Sequence, residues 1–205
     1  MIKKITLFSS LLQTAKLDNT KLNTQLIKYA TSLKKKTKSA HISNEGGFQS
    51  QPLSIKDTPL LKKFISNIKT AMENYISSYQ LVDPYEARIS ALWFNINSKH
   101  HYNKTHIHPG CQFVGSYYIQ TSKNCGRLVM ENPVPSHQMD EFYGNKFTIY
   151  NQYTSNVFFH DPQAGELVLF PAWIPHYAEP NRSGKDRISI SFNIDVQTTI
   201  KKEAK

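Results

Sequence analysis

After residue 84 the chain repeats one pattern: a short apolar or aromatic run, a few turn residues, then another run. The runs are ARISALWFNIN, QFVGSYYIQ, GRLVMEN, KFTIYN, SNVFFH, GELVLFP and DRISISFNI. Such runs read as strands, and many strands at close intervals fold as a β-sandwich or barrel. The last run is the most explicit. Ile188, Ile190, Phe192 and Ile194 alternate with Arg187, Ser189, Ser191 and Asn193. Successive side chains of a strand point to opposite faces, so this strand has one apolar and one polar face. A polar face carrying an arginine either meets water or lines the interior of a barrel.

Before residue 84 the period is helical. Leu22, Leu26, Tyr29, Ala30 and Leu33 predict a helix from about 22 to 36, with Asn19 or Thr20 as its cap. Leu61, Phe64, Ile65, Ile68, Met72, Tyr75, Ile76 and Tyr79 predict a second helix over about 58–79. Asp57 can cap it, and Pro59 falls in its first turn, where a missing N–H costs nothing. That apolar stripe is expected to pack on a sheet. SNEGGFQSQPL, between the helices, reads as a glycine-containing loop. The opening MIKKITLFSSLLQTAK reads as a first strand, because Ser9, Ser10 and Gln13 break its apolar run, with a secretory signal as the alternative. The closing IKKEAK reads as a frayed tail. The expected organisation is one domain over 1–205: a strand and two supporting helices in 1–80 and a β core in 85–195.

Charge is divided unevenly. Residues 1–70 hold 13 lysines, no arginine and three acids, a net +10, whereas 71–205 hold 12 residues of each sign. The basicity therefore belongs to the helical segment. The whole chain has four arginines, and direct readers of DNA bases lean on arginine forks. A solvated lysine face is preferred over a nucleic-acid surface. Cys111 and Cys125 form neither a CxxC nor a disulfide framework, so a reducing, cytoplasmic setting is expected. No apolar run approaches the ~20 residues of a membrane-spanning helix.

The stretch NKTHIHPG places His106 and His108 two positions apart. In extended chain, residues i and i+2 share a face, and Pro109 keeps His108 out of the helical region. Two imidazoles on one face can converge on a metal ion, although histidines in loops are common without one. GELVLFPAWIPHYAEPN adds a candidate third ligand, His176, held between Pro175 and Tyr177 just past a strand. Eleven residues later Arg187 offers a planar fork suited to a carboxylate, with the Ser189 hydroxyl on the same face.

SNEGGFQSQPL, WFNIN, YNKTHIHPG, GSYYIQ, LVMENP, GELVLFPAWIPHYAEPN and RISISFN follow one another from about residue 43 to 194. In that order they resemble the Fe(II)/2-oxoglutarate-dependent oxygenases, and more narrowly a branch found in bacteria and phages. The resemblance implies a mainly β fold with flanking helices around a double-stranded β-helix (jelly-roll, cupin-like) core. It implies Fe(II), 2-oxoglutarate and O2 as cofactor and co-substrates, with succinate and CO2 released as an unidentified substrate is hydroxylated. His106 would be the first iron ligand and His176 the distal one. Arg187 would bind the far carboxylate of 2-oxoglutarate with help from Ser189 and Tyr118. Asn95, Asn97 and Asn103 would line the pocket or orient ligands, Asn97 being the one expected to contact the co-substrate.

One position departs from that family. Its usual pattern is His-x-Asp/Glu with a distal His, and here the acid's place is taken by His108. Either His108 ligates, or Glu131 or Asp161 completes the set, or two histidines suffice; the i+2 geometry favours His108. His100 and His101 read as loop residues, His41 and His137 as exposed, and His160 as a residue behind the ligands. Pro133–Gln152 reads as part of a lid. Two rival readings stand beside the oxygenase: a cupin-like metalloenzyme that does without 2-oxoglutarate, and a basic, non-enzymatic binding module. Nothing in the sequence names the substrate or the oligomeric state.

Overall fold

The computed structural model of the chain describes residues 3, 6, 9–17, 19–40, 42–56, 58–82, 84–134 and 155–198. Expectations for Asp57, His41, His137, KFTIYN, most of the 133–152 lid and the closing tail lie outside these residues.

Two antiparallel sheets carry the fold. The larger runs β1 (Gln13–Lys16), β9 (Glu166–Pro171), β6 (Phe113–Gln120), β11 (Arg187–Thr198), β4 (Tyr85–Asn97) and β3 (Phe48–Gln49), in that spatial order. The smaller runs β2 (Asn44–Glu45), β5 (Tyr102–His106), β10 (His176–Ala178), β7 (Leu128–Glu131) and β8 (Val157–His160). Strands distant in sequence are neighbours: β11 pairs with both β4 and β6, and β10 with both β5 and β7. Two segments read as a loop or a strand are finer in detail. SNEGGFQSQPL contributes the two short strands β2 and β3, and among its described residues the opening segment forms a strand over Gln13–Lys16, against β9.

Two helices cover the larger sheet. The first, α1, spans Thr20–Lys36; Asn19 caps it, its side-chain oxygen accepting from the Leu22 N–H at 3.0 Å. The second, α2, spans Pro59–Ser77, with Thr58 as the cap and Pro59 in the first turn, as its missing N–H allows. It stops short of Tyr79 because the chain turns at Ser77–Gln80, Gln80 having a φ of 48°.

The alternation along β11 decides where the core sits. Ile188, Ile190, Phe192 and Ile194 are buried against the helices with Phe64, Ile68, Tyr75 and Tyr117. Each such large side chain contributes roughly 1.5–3 kcal/mol through burial. Phe192 lies across Gly115 of β6, its register partner; a Cβ there would come 2.1 Å from the ring. The opposite, polar face of β11 looks toward the smaller sheet. Between the sheets a second, smaller apolar cluster includes Val114, Leu128, Met130 and Phe170. The polar interior lies beside it. Among the described residues no helix is long and apolar enough to cross a membrane.

Candidate active site

Strands β5 and β10 pair with His106 directly opposite His176. His108 lies two residues beyond the end of β5, yet its N–H donates to the Ala172 carbonyl at 2.9 Å, which keeps the segment extended. His106 and His108 therefore both turn inward. The ring centroids are 5.0 Å apart for His106 and His108, 4.3 Å for His106 and His176, and 5.1 Å for His108 and His176. One nitrogen from each ring falls within 4.8 Å of the others.

The hydrogen bonds on the outer nitrogens determine what the inner ones offer. His106 Nδ1 lies 2.7 Å from the Lys104 carbonyl and His176 Nδ1 lies 2.9 Å from the Ile174 carbonyl. A carbonyl oxygen only accepts, so both Nδ1 atoms carry the proton and both Nε2 atoms keep a lone pair. His108 Nδ1 donates in the same way to Asn193 Oδ1 at 2.9 Å. The Nε2 atoms of His108 and His176 then face each other at 3.3 Å. Burial holds these rings neutral, the neighbouring histidines adding to the effect: His176 is pulled down to about 3 and His108 to about 4. Burial also lowers His106. At neutral pH three lone pairs converge with no proton between them, a donor set suited to a divalent cation.

No carboxylate joins this cluster among the described residues. Glu131 instead accepts from the Thr105 hydroxyl at 3.3 Å. Asp161 lies on a separate cavity with Arg127 and Arg182. Of the three arrangements the sequence left open, the geometry assembles the one built from His106, His108 and His176.

The same cavity holds Arg187, at the first position of β11 and only 3 % exposed. Its Nη1 donates to three carbonyls: Cys125 at 2.7 Å, Glu179 at 3.0 Å and Gly126 at 3.1 Å. Among the described residues its Nη2 is buried with no hydrogen-bond partner. Burial lowers its pKa, but a guanidinium stays charged in proteins. Among the described residues no carboxylate forms an ion pair with it; burying a cation without one costs several kcal/mol, and an anion entering the cavity would offset that cost. Ser189 and Tyr118, register partners on β11 and β6, line the cavity with it. The Tyr118 phenol is pushed up to about 12, mainly by burial, so it stays protonated and able to donate.

Asn97 occupies a different place from the one its sequence position suggested. It does not line the cavity: its side chain accepts from Asn44 at 3.2 Å and reaches Asn103 at 3.5 Å. It braces the strands behind Arg187, whose register partner it is. Asn95 and Asn103 do line the cavity, and Asn95 Oδ1 has no partner. His160 pairs with Glu166 at 2.9 Å, and His101 Nδ1 accepts from the Ser98 N–H; neither lines the cavity. Two residues that shape the site were missed in sequence. Asn193 could have been suspected from its place on the polar face of β11. Gly126, at φ +89°, has a Cβ position only 2.3 Å from the Glu179 carbonyl and 2.6 Å from Arg187 Nη1.

A family model described as "Putative 2OG-Fe(II) oxygenase" matches residues 91–193, half of the chain and all six of His106, His108, Tyr118, His176, Arg187 and Ser189. The chain belongs to the 2OG-Fe(II) oxygenase family. The fold agrees with solved structures of that family at low identity. A Pseudomonas putida prolyl-4-hydroxylase aligns with TM-score 0.60 and 13% identity over 89% of this chain and 91% of its own. The 2-oxoglutarate (α-ketoglutarate)-dependent epimerase SnoN from nogalamycin biosynthesis aligns with TM-score 0.64 and 12% identity over 91% and 78%. HygX from Streptomyces hygroscopicus, solved with nickel and 2-oxoglutarate bound, aligns with TM-score 0.59 and 10% identity over 95% and 85%. The two sheets are those of the double-stranded β-helix that these oxygenases share. No curated protein matches the chain.

Proposed function

We propose that His106, His108 and His176 hold Fe(II), that Arg187 anchors 2-oxoglutarate, and that the chain is a dioxygenase hydroxylating a substrate with release of succinate and CO2. The observation that carries this reading is one cavity holding three convergent imidazole lone pairs and a buried arginine with an unpaired nitrogen. The residues present fit both groups. Imidazole suits iron, and each ring has a hydrogen bond that fixes its tautomer. The orphaned Arg187 nitrogen fits a carboxylate, and the carbonyls around Nη1 aim the fork.

Bound Fe(II) supplies the redox chemistry with O2 that side chains lack. The chain's own residues supply binding, orientation and dryness. Three neutral donors leave the site's positive charge uncompensated, which with Arg187 favours a dianionic co-substrate. Ser189 and Tyr118 offer hydroxyl donors beside the guanidinium. Val114, Leu128 and Phe170 line the rest of the wall and exclude water. We read all 205 residues as one functional unit, the helices serving as the sheet's backing. The substrates named for structurally similar proteins range from peptides to antibiotics, so they do not single out a substrate here.

The test is anaerobic. Fe(II) and 2-oxoglutarate are added together and the weak visible metal-to-ligand charge-transfer band is sought. It is expected in the wild type and lost in His106→Ala, His176→Ala and Arg187→Met. Iron binding with no band in the wild type would favour a metalloenzyme that does without 2-oxoglutarate, which the all-histidine donor set also suits. No metal binding at all would overturn the reading.

A further inference from the structure

The three histidines are not held alike. His106 and His176 each bond to the carbonyl two residues earlier in the chain, so the local backbone fixes their orientation. His108 stands past the end of β5, and its Nδ1 reaches a side chain 85 positions away, Asn193. One face of its ring is covered by Trp93, with centroids 5.7 Å apart and planes at 20°. It is also near-parallel to His176, at 7°. Trp93 and Asn193 lie on the neighbouring strands β4 and β11 of the larger sheet, whereas His106 and His176 belong to the smaller one. The third imidazole is thus seated from across the interior.

We infer that Asn193 is the positioning residue for His108: by accepting a hydrogen bond from its Nδ1–H it fixes the tautomer and aims the Nε2 lone pair at the other two histidines. This rests on the metal-binding reading above and deepens it. His108 Nε2 lies 3.3 Å from His176 Nε2, so a proton on His108 Nε2 would pair the two rings with each other and remove a ligand. Which ring nitrogen carries the proton is set by the bond that the other makes. An acceptor at Asn193 selects the ligating form. The seat also suits a ring: Trp93 stacks on a flat face, and Asn193 is reached by the far nitrogen of an imidazole. The site is therefore built around histidine at this position.

The experiment uses Co(II) as the probe, on the full chain. Co(II) affinity is measured by calorimetry, and the hyperfine-shifted, exchangeable imidazole N–H protons are counted by NMR. Wild type is expected to bind Co(II) and show three such protons, each protected by its hydrogen bond. Asn193→Leu, of similar size and unable to accept, is expected to lose the His108 signal to exchange with water and to bind Co(II) about 10- to 100-fold more weakly. Its urea midpoint should stay at the wild-type value, since the residue is half-buried outside the main core. Asn193→Asp, which can only accept, should restore both the signal and the affinity. Three protected signals and unchanged affinity in Asn193→Leu would overturn this inference alone. Wild type that takes up no Co(II) would overturn the metal reading and this inference with it.

Discussion

Substituting alanine at Gly126 tests whether Arg187 is aimed by its backbone cradle. At φ +89° an L residue costs ~1–2 kcal/mol in the folded state. The added Cβ would also sit 2.3 Å from the Glu179 carbonyl and 2.6 Å from Arg187 Nη1, so the carbonyl must retreat and the guanidinium must turn. A turned guanidinium forfeits about one charge-assisted bond to a bound carboxylate, worth ~1.5–3 kcal/mol. At 1.4 kcal/mol per factor of ten, 2-oxoglutarate should bind roughly 10- to 150-fold more weakly. The three histidines do not touch Gly126, so metal affinity should be unchanged. The assay titrates 2-oxoglutarate anaerobically into the Co(II)-loaded Gly126→Ala variant, with a urea melt alongside. A variant that is destabilised but binds 2-oxoglutarate as tightly as wild type would refute the reasoning: the carbonyl cradle would then be structural and would not set the aim of Arg187.

Other outcomes follow from the same structure. His108 and His176 have folded-state pKa values of about 4 and about 3, below that of free imidazole, so the unfolded chain takes up protons first as pH falls. The metal-free protein should be fully stable above pH ~6.5 and lose about 1.4 kcal/mol per pH unit for each of these histidines between pH ~6 and ~4, measured as urea midpoint against pH. Phe192→Ala removes a fully buried ring from the sheet–helix core and should cost ~3–5 kcal/mol in urea unfolding. Asn19→Ala removes the α1 cap and should cost ~1 kcal/mol, with no change in metal binding.

What was legible in the sequence was whatever a single segment expresses. Strict alternation in DRISISFNI put Ile188, Ile190, Phe192 and Ile194 on one face and Arg187 and Ser189 on the other, because a two-residue period is a local property; that the polar face lines the interior came only from the fold. The i+2 spacing of His106 and His108 was legible for the same reason, and so were both helices. Partnerships across the fold were not. Nothing local says that β11 lies between β4 and β6, so the reach from Asn193 to His108 was invisible. The resemblance implied that Asn97 contacts the co-substrate. The structure instead uses it to tie Asn44 and Asn103 together, because both stand close to it across the sheets. Gly126 merely opens the run GRLVMEN in the sequence; its close approach to Glu179 and Arg187 exists only once three separate segments meet.

Strand β11 works as a gauge bar. Arg187 stands at one end of its interior face and Asn193 six residues along, a span of roughly 20 Å at 3.3 Å per residue. The proposed co-substrate anchor and the inferred support of the third histidine therefore hang from one strand, and their separation is counted in residues. Deleting any one residue between them would shorten that span and also exchange faces, sending serines toward the helices and isoleucines toward the three histidines. A substitution along this stretch alters one contact of the core or the site, whereas a change in its length dismantles both together. Changes of length belong in the turns, and variation in what the site accepts belongs with them.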